Sequence, residues 1–305
     1  MNVTSVYAAV VLIWSTTPLG IRFSVASFDF IQGLSLRMWL SILVCWALHL
    51  VFRVRLPWHK GAVQGYLLGA IPITFAMLCV YYAAQTLPSG LIAVMWGLSP
   101  ILVSVCAMIL LPNAHLVARQ WMAMGLAVVG LYIIFAQGIA IGWEMLGALL
   151  VLLLGLLLHC VSSVWLQRLH VVKGIQPANP LAQTTGALML SAPVYGLLWW
   201  GFSGPLPEQP EMKSMAAIVY LAIFGSVVGF IGYFHLMKHL SAATVSLVTL
   251  VTPVLALILG ALLANEALAP RTFIGSSVIL LSLVIYQWRS INLALVQLRS
   301  RLGAE

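Results

Sequence analysis

The sequence predicts an all-α integral membrane protein in which ten spanning helices form two inverted five-helix repeats around a central cavity. Three observations predict it. Hydrophobic residues make up 63% of the 305 and charged residues 7%, with a mean hydropathy of +1.09, which leaves too little polar surface for a domain folded in water. Ten apolar runs of spanning length follow one another, joined by short turn-rich links. Basic residues fall on one side of that serpentine and most acidic residues on the other.

The runs justify themselves in order. The first, 4–25, contains Pro18, with Arg22 one turn on; Trp14, Thr17, Pro18 and Ile21 share one face through spacings of three and four. Proline removes a backbone hydrogen bond there and opens the helix, so that neighbouring hydroxyls can reach solute or water. The second run, 31–52, carries Arg37. Arg22 and Arg37 each sit one to two turns from the outer helix end, where a guanidinium snorkels to headgroups or draws an anionic solute into an outer vestibule. The third run, 62–85, carries a strip of Gly61, Gly65 and Gly69 at its start and ends near Tyr81 and Tyr82, which offer stacking surface. The fourth, 88–111, aligns Trp96, Ser99 and Pro100, and the fifth, 119–137, closes a first repeat over 1–137.

In the sixth run, 144–168, His159, Ser162, Ser163 and Leu166 match the stripe of the first, with Trp165 beside them. The seventh is 180–201; the link after it, FSGPLPEQPEMK, is too short to be a domain. The eighth, 214–237, holds Gly225, Gly229 and Tyr233, and the ninth, 241–264, places Thr249, Thr252 and Pro253 where the fourth has its own polar stripe. The tenth, 271–289, ends the second repeat over 138–289. Residues 290–305 form a cytoplasmic tail whose leucines and arginines suit the surface of an anionic leaflet.

With the amino terminus inside, Arg53, Arg55, Lys60, Arg119, Arg168, Lys173, Lys238, Arg289, Arg299 and Arg301 all lie on the inner face. Only Lys213 and Arg271 lie outside, together with Asp29, Glu144, Glu208, Glu211 and Glu266. Both termini are therefore predicted to be cytoplasmic. The net charge of +8 is a topology signal, and no nucleic-acid partner is expected, because loops this short cannot assemble a basic face. Cys45, Cys79, Cys106 and Cys160 lie within spans without ligand spacing, so neither disulfide, metal nor cofactor is predicted. Ser24-Val25-Ala26 has the outline of a processing site, but no basic segment precedes it, and the first run is read as a retained helix. A membrane-embedded enzyme would need a nucleophile and base or a carboxylate pair; no carboxylate lies inside a span, and no catalytic residue is assigned.

Faint internal similarity links the halves. A shift of 153 lays LPSGLIAVMWGLSP (87–100) on LSAATVSLVTLVTP (240–253), matching Pro100 to Pro253 and Ser99 to Thr252. A shift of 146 lays IWSTTPLGIR (13–22) over HCVSSVWLQR (159–168). Five helices per half is an odd number, so the second copy enters from the opposite face; secondary transporters built this way bind their solute at the midplane between halves. Pro18, Pro100 and Pro253 are the predicted kinks. The polar stripes suit a small amphipathic solute, and His159, an ionisable group within a span, is a candidate to handle solute or protons.

The run IWSTTPLGIR, the pair Asp29-Phe30, Arg37, and the spacing from Pro253 to Glu266 followed by Arg271 and Gly275 resemble the drug/metabolite transporter superfamily in its EamA family. The first half departs from the pattern, with Asn113 or Ala114 at the place matching Glu266 and Ala123 in place of the later glycine. The resemblance implies ten helices in inverted repeats, cytoplasmic termini in a bacterial inner membrane, and a cavity lined by helices 1, 3, 4, 6, 8 and 9. It also implies export of amino acids or other small metabolites by alternating access, with passive facilitation as the alternative and a monomer compatible with either. The residues expected to bind solute are Trp14, Thr17, Arg22, Tyr82, Trp96, Ser99, His159, Ser163, Trp165, Tyr233, Thr249 and Thr252.

Overall fold

The computed structural model describes the backbone of residues 2–112, 114–141, 143–264 and 270–302, and their side chains except at 135–141, 250–251, 287 and 289–302. Among these residues the chain is helical with no strand. The helices are α1 (Val3–Ser24), α2 (Phe30–Phe52), α3 (Lys60–Ala84), α4 (Ser89–Leu110), α5 (Ala118–Ile141) and α6 (Trp143–Val171). They continue as α7 (Pro180–Phe202), α8 (Met212–His239), α9 (Ala242–Val245, resuming at Val248–Ala264) and α10 (Pro270–Leu302). Six of them, α1, α2, α3, α4, α6 and α8, are long and apolar enough to cross a membrane. Shorter apolar stretches lie in α5, α9 and α10. The 23-residue α7 buries Gln183, Thr184, Thr185 and Ser191 on its packed side.

Local chemistry sets the ends. Asp29 caps α2 by accepting from the N–H groups of Ile31 (2.7 Å) and Gln32 (3.0 Å), and Gln32 returns the contact in a capping box. Asn179 caps α7 by accepting from the N–H of Leu181 at 2.9 Å, with Pro180 at the first position of the helix. Arg53 ends α2 in a left-handed conformation at φ 50°.

The interruptions are paired between the halves. Helix α3 widens into a π-turn over Pro72–Ala76, and α8 does so over Leu221–Val228. Pro72 has no N–H for the carbonyl of Leu68; Ser162 Oγ donates to that oxygen instead. Helix α4 stops at Gly97–Leu98 and α9 at Ser246–Leu247. Pro100, expected as a mid-helix kink, therefore sits in the first turn of a resumed segment, where its missing N–H costs nothing. Pro18 and Pro253 do lie inside continuous helix.

The principal packing pairs also repeat when each helix is exchanged for the one five further on. Helix α1 packs on α8 and α9 as α6 packs on α3 and α4, and α3 packs on α7 as α8 packs on α2. The pairs α2–α7, α4–α9 and α5–α10 map onto themselves. Where α5 crosses α10, Gly130 and Gly275 meet so closely that a Cβ on either would lie 2.9 or 2.8 Å from the other's carbonyl oxygen. Outward positions are apolar, as at Leu43, Leu50, Trp200 and Leu262, while serines and threonines face inward. The predicted tenth span ends at 289, but helix α10 runs on to Leu302, through the stretch expected as a tail. Asn113 and Glu266 fall outside the described residues.

Candidate functional site

The helices surround a partly open cavity of about 80 Å³, room for roughly five to eight waters at about 10–15 Å³ each. Both halves contribute to its wall. From α1 come Trp14, Thr17, Pro18 and Ile21; from α3, Pro72, Ile73, Met77 and Val80; from α4, Ile92, Ala93 and Trp96. The second half supplies His159 of α6, Gly225, Phe230, Tyr233 and Phe234 of α8, and Thr249 and Thr252 of α9. Helix α2 adds Arg37. In α3 and α8 the lining begins within the π-turn, at Pro72 and Ile73 and at Gly225, and continues in the helix that follows it.

An aromatic chain crosses the wall. Trp96 meets the His159 ring edge-on at 4.9 Å between centroids, His159 meets Tyr233 at 5.7 Å, and Tyr233 meets Trp14 at 5.6 Å. The Tyr233 hydroxyl lies 2.6 Å from Ser163 Oγ, which itself donates to the His159 carbonyl at 2.7 Å. With its own proton used, Ser163 accepts from Tyr233 and holds that ring in place. The His159 ring nitrogens make no hydrogen bond among the described residues. Thr17 Oγ1 donates to the Ile13 carbonyl at 2.9 Å, leaving its lone pairs on the cavity side.

The residues expected to bind solute thus divide. Trp14, Thr17, Trp96, His159, Tyr233, Thr249 and Thr252 reach the cavity. Ser99 and Ser163 lie just behind it, Ser99 bonded to Thr249 at 2.9 Å where α4 crosses α9. Arg22 does not reach it; it donates to the carbonyls of Ala84 (2.8 Å) and Gln85 (3.1 Å) and clasps the end of α3, where helix carbonyls lack partners. Tyr82 and Trp165 face away, 42% and 45% exposed. Each is displaced around its helix from a neighbour that faces inward, Tyr81 and Ser163 respectively, by one or two residues at about 100° per residue.

Arg37 corrects the expectation of a snorkelling guanidinium. It is 1% exposed, with Nε donating to Ser226 Oγ at 2.8 Å and Nη1 3.5 Å from the Tyr81 hydroxyl. The signal was present in the spacing: Gly33, Arg37, Ser41, Cys45 and His49 recur every fourth residue, and all are buried. Phe230 and Phe234, also unanticipated, are the further aromatic lining of α8.

Comparison with known proteins agrees with the paired architecture. The model of the EamA-like transporter family matches twice, over residues 4–136 and 145–287. The inner membrane transporter YedA of Escherichia coli (strain K12) is 26% identical over 282 residues, 91% of this chain and 88% of that protein. A transporter of Archaeoglobus fulgidus is 25% identical over 289 residues, 92% and 96% of the two chains. Protein PecM of Dickeya dadantii (strain 3937) is 27% identical over 232 residues, 73% and 72% of the two. A crystal structure at 18% identity superposes with a TM-score of 0.66 over 95% of this chain and 98% of the other, a likeness of fold. Two successive matches, one in each half and together spanning nearly the whole sequence, show that the chain belongs to the EamA-like transporter family.

Proposed function

We propose that the chain is a secondary transporter of the cytoplasmic (inner) membrane that exports amino acids or related small metabolites by alternating access. It would do so with ten spans in two inverted halves and both termini in the cytoplasm. The observation that carries this reading is the cavity itself: a largely apolar hollow with a few polar groups on its wall, at the seam of the two halves and lined from both. The paired π-turns, paired helix breaks and exchangeable packing pairs support two halves related by rotation, which is what rocking about a fixed site needs. YedA and the Archaeoglobus protein are themselves named as transporters, and YedA as one of the inner membrane.

Proteoliposomes offered a panel of radiolabelled amino acids and related metabolites test it. Saturable movement of at least one solute is expected. Single cysteines at Ile21 and Phe234, near opposite ends of the cavity, should exchange their accessibility to impermeant thiol reagents when solute is added. Accessibility of both from both sides at once would instead identify an open channel, and no movement of any solute by folded protein would end the proposal.

A further inference from the structure

We propose that the solute carried by this cavity is a small monocarboxylate with an apolar or aromatic body, and that Arg37 binds its carboxylate. The proposal rests on the transport reading above and narrows it to a substrate class.

Arg37 stands seven residues into α2, about 10 Å along the axis at roughly 1.5 Å per residue, and is 1% exposed. Among the described residues no carboxylate pairs with it. Asp29, the acid nearest in sequence, is committed to capping its own helix. The neutral groups around the guanidinium satisfy it only in part. Ser226 Oγ takes Nε, the Tyr81 hydroxyl stands at a long 3.5 Å from Nη1, and the Tyr81 ring centroid lies 5.9 Å from the guanidinium carbon. Nη2 has no hydrogen-bond partner among the described residues. A guanidinium does not escape burial by losing its proton, and a buried charge without a counter-charge is costly. A mobile anion would supply what the fold does not.

The space for that anion is visible. Gly225, in the π-turn of α8, faces Nη2; a Cβ built there would lie 3.1 Å from Nη2 and 3.6 Å from Thr17 Oγ1. The absence of a side chain keeps open the position an oxygen of the anion would take. From that pole the wall runs to Trp14, Tyr233, His159 and Trp96, ring against ring. One guanidinium at one end and aromatic surface beyond it fit a single negative charge on a compact apolar body. A phosphate monoester would bring a second charge with nothing to meet it.

The test uses the full-length protein in proteoliposomes and a panel of monocarboxylates, each paired with its uncharged amide, among them L-phenylalanine with L-phenylalaninamide and phenylacetate with phenylacetamide. Phenyl phosphate and phenethylamine complete it. At least one carboxylate should be transported with a KM about ten- to a hundredfold below that of its amide, the worth of one charge-assisted hydrogen bond. Arg37→Gln should abolish that preference, and Arg37→Lys should keep part of it. Thermal unfolding separates recognition from scaffolding. Ligand-free Arg37→Gln should melt no lower than the parent, because an uncompensated charge has gone, and the transported carboxylate should raise the melting temperature of the parent alone. Should Arg37→Gln fail to fold, Ser226→Ala, which keeps the charge but frees its anchor, should weaken transport of the carboxylate and spare that of the amide. Equal transport of acid and amide, or transport confined to the amine or the phosphate, overturns this inference and leaves the transporter reading intact. Movement of no panel member overturns this inference, and the wider panel of amino acids and metabolites then decides the transporter reading.

Discussion

Substituting Gly225 by alanine tests the anion position without touching a charge. The added methyl would lie 3.1 Å from Arg37 Nη2, 3.3 Å from Leu221 Cδ2 and 3.6 Å from Thr17 Oγ1. A carboxylate oxygen in a charge-assisted bond needs to come within about 2.7–2.9 Å of that nitrogen, so methyl and oxygen compete for one place. Losing the bond costs about 1.5–3 kcal/mol, or roughly 12- to 150-fold in affinity at about 1.4 kcal/mol per decade. The fold should tolerate the change. No contact of the new carbon falls under 3.0 Å, and alanine is preferred to glycine in helix by up to about 1 kcal/mol. Initial uptake rates in proteoliposomes give KM, and the melting temperature in detergent controls for folding. A folded Gly225→Ala protein with unchanged KM for the carboxylate, or one that loses acid and amide equally, would refute the placement.

Three other outcomes are expected. His159→Ala should remove any dependence of transport on an imposed pH gradient, since its imidazole, on the cavity wall, can take up and release a proton; coupling that survives would exclude His159 as proton carrier. Gly186→Ala should lower the melting temperature, because its Cβ would sit 2.4–2.7 Å from three ring carbons of Tyr66, an overpacking worth about 1–3 kcal/mol; an unchanged melting curve would contradict the α3–α7 contact. Tyr82→Ala and Trp165→Ala should leave KM unaltered, both side chains facing away from the cavity; a tenfold change in either would mean that the wall extends further than the structure shows.

The apolar runs were legible because length and hydropathy alone fix them. The stripes of α1 and α6 and the hydroxyls of α9 were legible too, since polar atoms in oil gather on the packed side. Facing was harder. A helix apolar all round offers no contrast between lipid and protein, so Tyr82 and Trp165 could be assigned a side only once neighbouring helices stood around them. Arg37 was misplaced for the opposite reason: distance from the helix end suggested a headgroup contact, while the spacing-four series from Gly33 to His49 pointed inward. The interruption of α4 at Gly97–Leu98 was read as a kink at Pro100, three residues late. The wide turn at Leu221–Val228 contains no proline and gave no local warning.

That wide turn has a geometric consequence. An ordinary helix rotates about 100° with each residue, and a π-turn takes in a surplus residue, so the lower part of α8 is clocked round against the upper part. Gly225, within the turn, and Tyr233, after it, look into the same hollow across this offset. Deleting one residue between 221 and 228 would rewind the coil and swing Phe230, Tyr233 and Phe234 toward lipid together, dismantling one wall without altering any side chain on it.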